Sequence, residues 1–225
     1  MQQYRTWNVE EGDTRMARTL KQLPQRKEFI ILTNGKATEK NYFKILRSLT
    51  RSIFEIKIKF SNSDPVNLVD EAIQYKHRAN QVWVVFDKDE FPDNAVISAM
   101  HSARLHSIGV AFSNAAFEVW LIDHFVELSQ EKTAAELIPI LDTYLKDSGY
   151  TKGYAKNDPD VIANVFIPRL TDAVHHADVS LQKRIAEYNH ERPEVKDYPY
   201  FRWNSCTTIH RLIEALKLQT TSGAE

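Results

Sequence analysis

A single cysteine, Cys206, serves the whole 225-residue chain. One thiol excludes an internal disulfide and any zinc site built on several cysteines, and it agrees with a reducing compartment. Glycine is nearly as scarce, with six in all, and none sits in a P-loop or a G-x-G-x-x-G turn. That argues against an intrinsic nucleotide-hydrolysing role. No apolar run approaches 18 residues, so no membrane span is expected. The N-terminus mixes Glu10, Glu11 and Asp13 with Arg5, Arg15 and Arg18 and lacks the apolar segment of a secretory signal, so a cytoplasmic location is expected. A formal net charge of −1 gives no long-range pull on phosphate. Any nucleic-acid binding must come from a local patch. Ser205 and His210 have no G-x-S-x-G elbow or ordered acid with them, which leaves no hydrolase triad.

What is present is the composition of an ordinary globular protein, 43% hydrophobic and 26% charged, long enough to bury a substantial core. Residues 1–28 are polar and weakly patterned and read as an arm. Phe29-Ile30-Ile31-Leu32 suits a buried parallel strand, and Asn34-Gly35-Lys36 follows as a loop. Thr38 is expected as the cap of a helix whose stripe is Tyr42, Phe43, Leu46 and Leu49. Phe54, Ile56, Ile58 and Phe60 alternate with charged residues, the pattern of a strand near a sheet edge. Asp64-Pro65 opens a second helix as cap and first helical residue.

Gln81 to Phe86 is an unbroken apolar run expected at the centre of the sheet; a helix from Asn94 and a strand at Ile108–Phe112 follow. This alternation predicts an α/β fold with a largely parallel sheet covered by helices on both faces. Beyond Asn114 the pattern is helical, at Phe117–Phe125, Ala134–Leu145 and Cys206–Leu218. The aromatic and charged segments Tyr150–Lys156 and Tyr188–Tyr200 read as ordered loops near a binding surface. The expected organisation is an arm over 1–28, an α/β core over 29–126, a helical C-terminal part over 127–218 packed on it, and a tail over 219–225.

Chemistry concentrates at Asp87-Lys88-Asp89-Glu90, directly after the central strand. In an open α/β sheet the ligand crevice lies beyond the carboxyl ends of the strands. Asp87 and Asp89 are two apart, so on extended backbone they share a face and could share a hard cation such as Mg²⁺ or Mn²⁺. The competing reading is a helix cap or Asx turn. Lys40, Lys44, Arg47 and Arg51 form one basic stripe on the first helix, with Lys36 and Asn34 in the loop before it. The stripe is either a rail for phosphates or a solvated helix face. Glu118 and His124 lie among apolar neighbours, as hydrogen-bonded core residues or as support for the acidic site. The pair His175-His176 has no partner at metal-ligand spacing and reads as surface.

Four ordered segments resemble the RloB-like family. Ile31-Leu32-Thr33-Asn34-Gly35-Lys36-Ala37-Thr38-Glu39-Lys40-Asn41-Tyr42-Phe43 is similar to its E-G-x-x-T-E-x-x-Y-F segment, and Val85-Phe86-Asp87-Lys88-Asp89-Glu90-Phe91 to V-F-D-x-D-x-F. Residues 112–125 are similar to S-N-P-x-F-E-x-W-x-x-x-H-F, and residues 204–210 to N-P-x-T-x-x-H. The resemblance implies a TOPRIM-like fold with a C-terminal helical elaboration, Mg²⁺ (or Mn²⁺) on Asp87 and Asp89, and phosphodiester chemistry in bacterial antiphage abortive infection. RNA, tRNA included, is favoured over DNA as substrate. Asn34 stands where the family pattern has glutamate, so Glu39 or Glu90 is expected as the acid or base, with Asn34, Lys36, Lys40, Lys44 and Arg47 on the nucleic acid. The alternative is a nucleic-acid-binding or sensing component, weakened in catalysis, that works with a partner toxin or ATPase of the defence system. A homo-oligomer is left open.

Overall fold

The computed structural model describes residues 27–88, 91–156, 158–191 and 204–219. Strand β1 (Lys27–Thr33) leads to helix α1 (Thr38–Leu49), the short strand β2 (Arg51–Ser52), β3 (Phe54–Phe60), α2 (Pro65–Ile73), β4 (Gln81–Asp87), α3 (Asp93–Leu105), β5 (Gly109–Asn114) and α4 (Glu118–Asp123). Then come α5 (Ala134–Asp147), α6 (Pro159–Val161) running through a π turn and a 3₁₀ turn into α7 (Leu170–Glu191), β6 (Cys206–Thr207), α8 (Ile209–Ala215) and β7 (Leu218–Gln219). The main sheet has the order β3-β1-β4-β5-β6. Its first four strands are parallel and β6 runs antiparallel on β5. The chain is therefore α/β, with a mixed, mostly parallel sheet between helices. Among the described residues no helix is long and apolar enough to cross a membrane.

Strand alternation builds two cores. Phe29, Ile31 and Val85 face α1, α4, α5 and α8, in a core that also holds Tyr42, Phe43, Trp120, Phe166 and Leu212. Ile30, Leu32, Val84 and Phe86 face α2 and α3, with Leu181 of α7 joining them. The edge strand β3 turns Lys57 and Lys59 to its outer face: Lys57 pairs with Glu28 and Glu55, and Lys59 lies over the Tyr75 ring. Charge on an exposed edge keeps it from pairing with another chain.

Several elements differ from the sequence expectation. Thr38 is the first residue inside α1, not its cap; its hydroxyl donates to the Lys156 carbonyl at 3.4 Å. Asp64 does cap α2, accepting from the Val66 and Asn67 backbone N–H groups. The C-terminal part is not purely helical. Cys206–Thr207 adds a strand to the main sheet and Leu218–Gln219 pairs with β2, so α8 is shorter than the helix read over Cys206–Leu218. The long helix α7 has no counterpart in the sequence expectation, and its last turn takes in 188–191 of the segment that the sequence reads as loop. Most of the arm, residues 192–203 and most of the tail lie outside the described residues.

Candidate active site

Because the strands are parallel, Thr33, Asp87 and Asn114 bring the carboxyl ends of β1, β4 and β5 to one edge. The ladders continue just past the strands: Asn34 N–H donates to the Val85 carbonyl at 3.3 Å, and Lys88 N–H to the Ser113 carbonyl at 2.9 Å. Two residues on from Val85, Asp87 falls on the α1 and α4 face and is half-buried there. Lys88 instead pairs with Asp93 of α3 at 3.1 Å.

Glu39 sits in the first turn of α1, three and four residues ahead of the buried Tyr42 and Phe43, which turns it inward. It is 7% exposed. Its carboxylate folds back over Gly35, where an added Cβ would fall on it. The loop is turned in this direction by Thr33, whose hydroxyl accepts from the Gly35 N–H at 2.9 Å. Glu118, in the first turn of α4, is 3% exposed. One of its oxygens, Oε1, accepts from the Tyr154 hydroxyl at 3.0 Å and lies 3.4 Å from Lys156 Nζ.

These three carboxyl groups act on one another. Burial, then the Glu39 and Glu118 charges, hold Asp87 well above the usual carboxylate range, against the Phe117 backbone N–H and Lys156. Burial and Glu118 likewise raise Glu39. The Tyr154 phenol is pushed up by burial and by Glu118, so it stays a donor. Three acids thus converge from α1, β4 and α4 against one ammonium. Carboxylate oxygens are the donor type that a hard divalent cation takes, but these three do not form a ligand set as they stand. Among the described residues, no group of three or more histidine, cysteine, aspartate or glutamate side chains is arranged to hold a metal ion. Asp89 and Glu90 lie outside the described residues.

The remaining residues singled out in the sequence fall in three places. Asn34 is half-buried beside the Glu39 carboxylate's loop, and Lys36 is exposed at its tip. Down α1, the Lys40 ammonium stands 5.7 Å from the Phe60 ring centre, Lys44 is exposed, and the exposed Arg47 donates to the Ile56 carbonyl at 3.2 Å. The stripe therefore leads away from Asp87 toward the opposite edge of the sheet. His124 is 1% exposed, among Tyr42, Trp120 and Phe166. Its Nδ1 donates to the Trp120 carbonyl at 2.9 Å, which leaves Nε2 to accept from the Tyr42 hydroxyl at 3.0 Å. Burial lowers its pKa to about 3. The structure places His124 in the aromatic core. His176 is half-buried and its Nδ1 donates to the Asp123 carbonyl at 2.7 Å, while His175 is exposed.

Sequence reasoning did not single out Tyr154 and Lys156. Their segment stood out as aromatic and charged, but which atoms reach Glu118 depends on how it is tied: the Tyr154 N–H donates to Asp142, and the Lys156 carbonyl accepts from Thr38. A family model described as RloB-like protein matches residues 29–216, a span that holds all five of these side chains. No curated protein and no solved structure matches the chain.

Proposed function

The chain belongs to the RloB-like family, and from that premise we propose that it is a metal-dependent nuclease, acting on RNA in preference to DNA, in bacterial antiphage abortive infection. The observation that carries this reading is the placement of Asp87 at the carboxyl end of β4, with the buried Glu39 and Glu118 in the first turns of α1 and α4 and their charges acting on it. Mutually repelling acids are costly to keep buried, and a bound cation offsets that cost. Asp87 and Asp89, with Glu39 or Glu118 beside them, would hold Mg²⁺ or Mn²⁺. Bound there, such an ion would supply the positive charge that a scissile phosphate and its leaving oxygen need.

The chain's own groups then divide the work. Glu39, held above the ordinary carboxylate range, can carry a proton at the mouth of the site and serve as acid or base. It thereby supplies an acid where Asn34 replaces the glutamate of the family pattern. Tyr154 fixes one oxygen of Glu118. Lys36, exposed on the loop, and Lys40 beyond it would hold flanking phosphates.

A second reading, nucleic-acid binding without efficient cleavage, draws on two facts: the described carboxylates are not arranged as a ligand set, and Asn34 cannot take a proton as a carboxylate does. The test is incubation of the protein with total RNA and plasmid DNA, in Mn²⁺ or in chelator, beside Asp87→Ala and Asn34→Glu. The nuclease reading expects Mn²⁺-dependent RNA cleavage that Asp87→Ala abolishes without unfolding the chain. Cleavage unchanged by Asp87→Ala removes the site, and cleavage by Asn34→Glu alone makes the natural chain the weakened form.

A further inference from the structure

The helical side of the chain carries a groove walled by the last turn of α1, the 3₁₀ turn, α7, α8 and β7. Leu49, Ile167, Leu170, Val174, Ile213 and Leu218 line it around a volume of about 550 Å³. Apolar surface left in water at this scale marks a place where something docks. Leu49 itself stays 44% exposed. Ile53, next to the Ser52 that pairs with Leu218, is 52% exposed. The same face therefore offers a hollow and apolar side chains that stand out beside it.

The charges on its rim say what fits. Glu214, near the end of α8, and Lys217, just past it, both border the groove and both are exposed. The Lys217 N–H donates to the Glu214 carbonyl at 3.1 Å, which sets the two residues in one turn. Neither side chain has a partner among the described residues. A partner of strong net charge would be met by a rim of the opposite sign. This rim carries one charge of each kind, and the surface complementary to it is its own copy turned about a two-fold axis.

We propose that this groove is the interface of a symmetric dimer of the chain, in which Leu49 of each copy enters the groove of the other and Glu214 pairs with the partner's Lys217. A two-fold axis makes that ion pair twice and buries the apolar lining of both copies at once. The acidic edge takes no part in it. Glu39 and Leu49 are ten residues apart on α1, about 15 Å at the helical rise. The contact thus lies at the far end of α1 and leaves the Asp87 edge of each copy open.

The test reads the mass of the full chain by analytical ultracentrifugation between roughly 1 and 100 μM, the range in which a modest interface dissociates. The wild type should pass from monomer to dimer. Leu49→Lys, which puts a charge into the partner's groove, should weaken the dimer at least about tenfold. Glu214→Lys and Lys217→Glu should each weaken it by roughly tenfold, because either change sets like charges across the axis twice. An equimolar mixture of those two variants should regain the wild-type affinity as a mixed dimer, since every pair across the axis is then of opposite sign. That recovery also shows both variants to be folded. A wild type that stays monomeric over the whole range overturns the proposal, and so does a larger assembly. A dimer that none of the three substitutions weakens lies on another face and overturns it as well. If the single charge variants dissociate and their mixture does not recover, Glu214 and Lys217 do not meet across a two-fold axis and the proposal falls.

Discussion

The carboxylate of Glu39 rests on the α-carbon of Gly35, in the volume that a side chain at position 35 would occupy. Glycine is needed there for closeness of approach. Since the obstructing atoms are the far end of a flexible side chain, Gly35→Ala should move the carboxylate and spare the fold. The expected result is a thermal midpoint close to that of the wild type, with Mn²⁺-dependent cleavage down by roughly tenfold to a hundredfold, the cost of displacing a reacting group by about 1 Å. A large drop in midpoint with cleavage retained would show Gly35 to be structural and Glu39 to be a bystander.

Gly109 gives the opposite case. An added Cβ there would strike the Trp83 indole, which is a rigid ring stacked on Phe29 with centroids 6.4 Å apart. The strands pair Trp83 with Gly109 at the far end from Asp87. Gly109→Ala should cost about 1–3 kcal/mol from overpacking, lowering the midpoint by about 2–4 °C for each kcal/mol in a chain of this size. Mn²⁺ affinity measured on the folded protein should not change. Calorimetry of the two alanine variants side by side separates a glycine kept for the site from one kept for the sheet.

His124 sets a pH dependence of known sign. Its folded pKa of about 3 lies below the ordinary histidine value of 6.5, so the unfolded chain takes up the proton first as pH falls. The stability it contributes is complete above pH 6.5 and is lost progressively below it, at about 1.4 kcal/mol per pH unit. The raised Glu39, Asp87 and Asp123 act in the reverse direction, gaining stability as pH falls. A difference measurement removes them. His124→Gln should be less stable than the wild type at pH 7, and urea titrations should show that deficit shrinking by about 2 kcal/mol at pH 5. A deficit independent of pH would mean that His124 can protonate in place.

The strands and α1 were legible because their periods are strong: Phe29 to Leu32 and Gln81 to Phe86 read as buried strands, and Tyr42, Phe43 and Leu46 as one helix face. The α7 stripe is Ala173, Ala177 and Leu181, two of them alanines, and so weak a pattern does not announce a 22-residue helix. The strand at Cys206–Thr207 exists only through pairing with β5, which no local pattern encodes. At the site, Asp87 could be found from its place after a buried strand. Glu39 is visible only through the resemblance of its segment to the family pattern. Glu118 reads from sequence either as a hydrogen-bonded core residue or as support for the acidic site, and only the parallel order β1-β4-β5 sets it beside the other two.

The basic stripe on α1 makes the last prediction, since the structure grades its members. Lys36 is exposed on the loop next to the Glu39 carboxylate, and Lys44 is exposed two turns into the helix. Arg47 already donates to the Ile56 carbonyl, near the edge of the sheet opposite Asp87. If the stripe is a phosphate rail, Lys36→Ala and Lys44→Ala should each reduce the slope of log affinity against log salt for single-stranded RNA by about 0.7. Arg47→Ala should change it less, because part of its guanidinium is committed to the protein and it lies farthest from the carboxylates. Anisotropy titrations between roughly 50 and 200 mM salt cover the range in which a few phosphate contacts are resolved. Unchanged slopes in the two lysine variants would make the stripe a solvated helix face, the usual fate of charged residues at this spacing.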